Sequence, residues 1–278
     1  MKHLILHIGH GKTGSSYIQS ILACNTKKLE QLNVYYPNHS SFNAAKNGHI
    51  SSGNGSVLLD NEEIDFGKYK NILFSGETLF YQLLQNDNLE KKILGRCDKV
   101  SVILYTRNVL DLLCSTWGQA VKRKHLSKPI NDFLVTVKDS HHINVLEWIN
   151  LSKKHKFNLH IKNYSNHAND IFRSFSSVLC KALEIDQGVL DDFILPTQKI
   201  VNRSMSFAEY VLIQSSNRLD PKFGSALSDA LTNSLPNIIS ELPSITDEVK
   251  TTLTKKYEPI ISELNNHLEQ TEFLEFEN

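Results

Sequence analysis

The residues from Gly9 to Ser16, Gly-His-Gly-Lys-Thr-Gly-Ser-Ser, carry the strongest chemical signal in the chain. Glycines let backbone N–H groups converge, Lys12 adds a full positive charge, and Thr13, Ser15 and Ser16 add hydroxyl donors. The apolar run His3 to Ile8 reads as a buried strand, and a helix follows from Thr13 with Tyr17, Ile18, Ile21 and Leu22 at helical spacing. A strand–turn–helix junction of this kind also offers the positive end of a helix dipole, so it suits a phosphate or sulfate. A helix-capping turn alone leaves the lysine unexplained. The nucleoside-triphosphate loop requires a glycine five residues before its Gly-Lys pair, and Leu6 stands there. A dinucleotide fingerprint fails as well: the lysine intrudes, and no acidic residue ends the second strand.

Arg107 ends the apolar, β-branched run Val100 to Thr106; taken alone, it reads as an arginine closing a strand at the surface, with Ser115 on a solvated helix face. A guanidinium grips phosphate oxygens with a planar fork. Ser115 lies about two helical turns further on, within reach of the same group if the arginine extends along the helix. Two residues offer a proton acceptor. Glu77 follows the strand Asn71 to Ser75, at the sheet edge where parallel folds place ligands; it equally suits the first turn of a helix, where a carboxylate offsets the dipole. His49, in Asn-Gly-His-Ile, is either a base or an exposed loop histidine. The adjacent pair His141-His142 does not suit a shared metal, because neighbours on a helix point apart. Lys122-Arg123-Lys124-His125 reads as a solvated helix end, or as a guide for an anionic sugar.

Read in order, Gly-x-x-Lys-Thr-Gly-Ser-Ser resembles the 5′-phosphosulfate loop of sulfotransferases that use 3′-phosphoadenosine-5′-phosphosulfate (PAPS), in particular bacterial and carbohydrate-type members. Ser15 stands where a threonine is common and keeps the hydroxyl. The segment Ser101 to Trp117 resembles the 3′-phosphate segment of that family, with its strand-terminal arginine and helical serine. Asn202-Arg203-Ser204-Met205-Ser206 is similar to a late Asn/Ser stretch of bacterial members; Arg203 then adds to phosphate binding, or Asn202 and Ser206 are simply helix caps. The resemblance implies that Gly11, Lys12, Thr13, Gly14, Ser15 and Ser16 hold the phosphosulfate, and that Arg107 and Ser115 hold the 3′-phosphate. It further implies that Lys12 neutralises charge on the bridging oxygen during in-line transfer, with Glu77 or His49 as base. PAPS is the implied donor and PAP (3′,5′-diphosphoadenosine) the product, with no metal expected. The implied acceptor is a hydroxyl or amine on a small molecule, saccharide, glycan or lipid headgroup. Two rival readings are a nucleotide-binding protein of the same fold without transfer activity, and a kinase-like enzyme.

Strands and helices alternate up to Tyr164, which predicts an α/β fold with a central parallel sheet flanked by helices, the P-loop-like sulfotransferase fold in the terms of the resemblance. Further strands are expected at Asn33–Tyr36 and Phe157–Ile161, with a loop that leaves room for a short helix over Asn38–Ser56. Asn108 and Asp111 have the form of a capping box for the helix after Arg107, and another helix is expected over Ile143–Lys154. Beyond Tyr164 the pattern becomes helical: Ile171–Leu183, a helix opened by the capping box Ser206 to Glu209, and a last amphipathic helix carrying Pro259. The tail from Glu272 to Asn278 is expected to fray. These elements suggest a single domain over 1–278, with a PAPS-binding core at 1–165 and a mainly helical acceptor side at 166–278.

The 278 residues carry 30 Lys plus Arg against 30 Asp plus Glu, with 40% hydrophobic content. This balance gives no general attraction to nucleic acid or anionic membranes. Cys24, Cys97, Cys114 and Cys180 form no CxxC pair, so they read as reduced thiols. No stretch reaches the roughly 20 apolar residues of a membrane span, and no secretory signal is recognisable. The sequence-based expectation is a cytoplasmic enzyme without an integral membrane segment or nucleic-acid partner.

Overall fold

Near-continuous apolar runs flanked by turn residues make the strands of a parallel sheet, because such strands are buried on both faces. The computed structural model describes all residues except 61–64, 66, 86, 139, 197–204, 235–242 and 277–278. In chain order the elements are β1 (His3–Gly9), α1 (Ser15–Cys24), α2 (Thr26–Gln31), β2 (Val34–Tyr35), α3 (Phe42–Lys46), α4 (Gly55–Asp60), β3 (Asn71–Ser75), α5 (Glu77–Gln82), α6 (Asn88–Lys92) and β4 (Lys99–Thr106). Then come α7 (Val109–Arg123), α8 (Ile130–Thr136), α9 (His141–His155), β5 (Asn158–Asn163), α10 (Tyr164–His167), α11 (Ile171–Leu183), α12 (Phe207–Leu219), α13 (Pro221–Ser234) and α14 (Asp247–Asn265). Asn71–Ser75 and Ile171–Leu183 fall where the sequence predicts them.

Two compact units emerge. The first comprises Met1–Arg107, Ser140–Asn202 and Leu264–Phe273. It holds the five-stranded, all-parallel sheet in the order β2-β3-β1-β4-β5. Side chains alternate across a strand, so Ile5, Leu73, Ile103 and Tyr105 share one face. They pack with Ile18, Ile21 and Leu22 of α1 and with Phe175, Val178 and Leu179 of α11 in one apolar cluster. The same face carries two buried histidines. His3 is bonded to Asn71 at 3.1 Å and to Ser101 at 2.9 Å, and His7 to Ser75 at 2.8 Å. Elsewhere in this unit, Trp148 of α9 donates Nε1–H to the Phe80 carbonyl of α5 at 3.0 Å.

The second unit comprises Asn108–Asp139, Arg203–Glu263 and Leu274–Asn278 and contains no strand among its described residues. Trp117 of α7 packs on Tyr210 of α12, and Trp117 Nε1 and Gln214 Nε2 both donate to the Lys128 carbonyl, at 3.1 and 2.7 Å. The Ser206–Glu209 capping box is formed. Arg123 pairs with Asp229 at 3.1 Å, an exposed contact of small energetic weight.

Several expectations are corrected. α1 begins at Ser15 rather than Thr13, because Gly14 takes a left-handed conformation as its N-cap. The short helix allowed within 38–56 is α3, and beyond that expectation α4 already begins at Gly55. β5 is shifted to Asn158–Asn163, since Lys156, with φ 57°, ends α9 in a left-handed turn. Asn108 is the N-cap residue of α7 but makes no capping bond; its Oδ1 accepts from the Glu275 N–H at 3.0 Å. The first N–H groups of α7, at Val109 and Leu110, donate to the Glu275 and Phe276 carbonyls at 3.2 and 2.9 Å. The expected frayed tail is therefore fixed as far as Phe276. In the first unit, Glu272 is 2% exposed.

Candidate functional site

All strands of the sheet run the same way, so the turns after β1, β3, β4 and β5 share its carboxyl edge. The turn after β1 is the expected anion loop. Lys12 sits at φ 75° and Gly14 at φ 76°. A side chain at Gly14 would be strained, and a Cβ there would lie 2.9 Å from the Tyr164 ring. Thr13 is buried and its hydroxyl donates to the His10 carbonyl at 2.9 Å, fixing the turn internally. Helix geometry leaves the first N–H groups of α1 without intrahelical acceptors, at the point where Ser15 and Ser16 contribute hydroxyls.

The turn after β4 ends in Arg107. Its Nη1 donates to the Lys12 carbonyl at 3.1 Å, and its guanidinium lies over the Tyr164 ring at 5.2 Å. Tyr164 thus touches both the glycine of the anion loop and the arginine. The turn after β3 brings Glu77, at the first turn of α5, to the loop: Ser15 Oγ donates to Glu77 Oε1. Glu77 therefore stands at the helix start after β3, and its contact with the anion loop is an addition from the structure.

His49 is exposed, and among the described residues its side chain takes no hydrogen bond. Ser115 lies on α7 in the second unit, half-buried. Arg203 falls outside the described residues. Lys122 is buried, whereas Arg123, Lys124 and His125 are exposed at the end of α7.

Three features of this edge escaped the sequence reading. The first is a histidine cluster. The ring of fully buried His10 lies 5.1 Å from that of His141 and 6.2 Å from that of His142. His142 Nε2 donates to the Arg107 carbonyl at 2.9 Å, and His10 Nδ1 to the Gly11 carbonyl at 3.1 Å. Neighbours on α9 thus both reach His10, yet among the described residues no group of His, Cys, Asp and Glu is placed to hold a metal. The second is the segment Ser51–Gly55. Asn54 is fully buried, accepts from the Ser75 N–H at 2.6 Å and donates to the Leu73 and Pro37 carbonyls at 3.1 and 3.3 Å. Ser16 Oγ donates to the Ser51 carbonyl at 3.4 Å. The third is Tyr164. Only the Ser-Gly-Asn-Gly run, a turn signal in itself, hinted at any of these.

Burial controls the titration of the neighbouring strand. His7, in β1 two residues before the loop, is pushed down to about 3 because burial disfavours its protonated form. Tyr105 is pushed up by burial on the same face.

In comparisons with known proteins, no family model matches the chain and no curated protein matches it. No helix among the described residues is long and apolar enough to cross a membrane.

Proposed function

We propose that this protein transfers the sulfuryl group of PAPS to a hydroxyl or amine acceptor, a saccharide, glycan or lipid headgroup being the acceptor class. The observation that carries the reading is the bond from Arg107 Nη1 to the Lys12 carbonyl, 3.1 Å long. It joins the two segments that resemble the two phosphate contacts of the sulfotransferase family. The donor set also fits the donor's charge: a lysine, a guanidinium and the first N–H groups of α1 at one helix N-terminus favour a multiply charged anion.

PAPS would supply an activated sulfuryl group whose bond to the 5′-phosphate breaks as the acceptor attacks in line. Lys12 and the loop N–H groups offset charge developing on the leaving phosphate. Arg107 holds the 3′-phosphate, and its contacts with Tyr164 and the Lys12 carbonyl fix where that fork points. Glu77 takes the acceptor proton. A carboxylate beside an anion loop weakens anion binding through repulsion, and proton acceptance is the role that accounts for this cost.

The test is thermal stabilisation of the purified protein. A ligand present at a hundredfold its Kd and bound only by the folded state adds about 2.7 kcal/mol, which for a chain of this size raises Tm by roughly 5 °C or more. PAP is expected to produce this shift and ATP with Mg²⁺ little. Equal shifts with ATP would favour the kinase-like reading. A PAP shift without transfer of labelled sulfate to any acceptor in a glycan and lipid panel would favour the binding-protein reading.

A further inference from the structure

Tyr164 stands on α10, a helix of four residues, Tyr164–His167. One turn of helix is not stable alone, since nucleation costs more than a single turn returns. Its order must come from elsewhere, and the chain's last segment supplies it. Asn163, fully buried at the start of α10, donates its backbone N–H to Glu272 Oε2 at 2.8 Å and its side-chain amide to the Phe273 carbonyl at 2.9 Å. Its Oδ1 accepts from the Ser165 N–H at 3.1 Å. Lys162 Nζ lies 2.7 Å from Glu272 Oε1, and His167 Nε2 lies 2.9 Å from the same oxygen. Asn166 donates to the Thr271 carbonyl at 3.0 Å. The residues on both sides of Tyr164 are thus held by Thr271, Glu272 and Phe273, while the Tyr164 ring faces Gly14 and the Arg107 guanidinium.

We infer that the segment Thr271–Phe273 is a positioning element of the anion site: by clamping α10 through Glu272 it holds the Tyr164 ring against the Gly14 turn and beneath Arg107. A buried carboxylate with three donors from consecutive parts of one short segment is a rigid anchor, and losing it frees a helix too short to keep its own shape. Tyr164 is the residue in contact with the site; Glu272 and Asn166 act through it. The inference rests on the proposed anion site for its ligand, but the positioning can be read without any ligand.

The experiment uses the full chain and the variants Glu272→Gln, Glu272→Ala, Asn166→Ala and Tyr164→Ala. Hydrogen exchange at the Gly11–Ser16 amides is compared with exchange at Leu4–Leu6 in β1. A general loss of stability lowers protection at both places equally, whereas loss of positioning lowers it in the loop first. We expect selective loss in the loop for both Glu272 variants and a smaller one for Asn166→Ala, whose exposed side chain can be removed without burying an orphan charge. With PAP as probe, Glu272→Ala is expected to weaken binding about tenfold, and this loss should vanish when Tyr164 is already alanine. Unchanged loop protection in folded Glu272→Gln and Asn166→Ala overturns the inference, as does additivity of Glu272→Ala and Tyr164→Ala. Failure of the unaltered protein to bind PAP would sink the ligand assignment while leaving the exchange comparison decisive for the clamp.

Discussion

Arg107 donates through Nη1 to the carbonyl oxygen of Lys12 across 3.1 Å, so the residue that follows β4 is bonded to the turn that follows β1. The bond leaves the guanidinium between that carbonyl and the Tyr164 ring, in one orientation rather than many. A lysine at this position would keep the charge but lose the fork, which is what allows one side chain to hold a carbonyl and still face an anion. Arg107→Lys should therefore weaken PAP binding about tenfold or more, and Arg107→Ala further, since hydrogen bonds to charged groups carry about 1.5–3 kcal/mol. Isothermal titration measures this. Equal affinity in the lysine variant would remove Arg107 from the site.

Glu77 should separate binding from chemistry. Glu77→Gln keeps an oxygen to accept from Ser15 Oγ and loses the capacity to take a proton. Transfer from labelled PAPS is expected to fall by about 10²–10⁴, with PAP affinity unchanged or improved as the repulsive charge disappears. His49→Ala should leave the rate within about twofold, because its side chain is exposed and takes no hydrogen bond among the described residues. A severe loss in His49→Ala with little effect in Glu77→Gln would exchange the two assignments.

His7 should appear in the acid limb of stability. In the unfolded chain it takes up a proton as pH falls below its ordinary 6.5, while in the fold burial delays this to about 3. The unfolded state therefore binds more protons in that window, and stability drops as pH falls through it, by up to about 1.4 kcal/mol per pH unit for one group. Above 6.5 the contribution is fully present. His3, also lowered by burial, adds in the same direction. Urea midpoints between pH 7 and 4 should fall less steeply in His7→Gln; an identical slope would show that His7 does not stay neutral in the fold.

Gly53 and Gly48 form a controlled pair. Both have positive φ, 74° and 73°, but a Cβ at Gly53 would lie 2.0 Å from the Ser75 carbonyl oxygen while one at Gly48 meets nothing within 4 Å. Gly48→Ala should cost about 1 kcal/mol, the strain of the left-handed backbone alone. Gly53→Ala should cost at least about 2 kcal/mol more and displace the turn before Glu77. Chemical denaturation distinguishes them, and equal costs would mean that the Ser51–Gly55 segment is not packed against β3 as described.

The clearest sequence signals became the clearest elements. β3 and α11 fall where apolar runs and their boundaries place them, and the Ser206–Glu209 capping box is formed, because each depends on contacts within a few residues. The anion character of Gly9–Ser16 was legible for the same reason: glycines, lysine and hydroxyls act within one turn. Alternation of strand and helix was enough to imply the parallel sheet.

What depends on distant partners was not legible. Asn108 looked like a helix cap, but its side chain accepts from Glu275, and the helix N–H groups find carbonyls of the tail instead. The tail looked free because its own residues specify nothing; the Glu272 carboxylate is held by Lys162, Asn163 and His167, about a hundred residues earlier in the chain. His141 and His142 were read only as unsuited to a shared metal; that both rings lie beside His10, a residue far away in sequence, had no local signal. The sequence by itself determined the strands, the anion loop and the charge available to it, since these follow from local periodicity and residue type. Only the tertiary structure decided that Arg107, Tyr164 and Glu77 converge on that loop, because a parallel sheet gathers the ends of strands whose order no local pattern encodes.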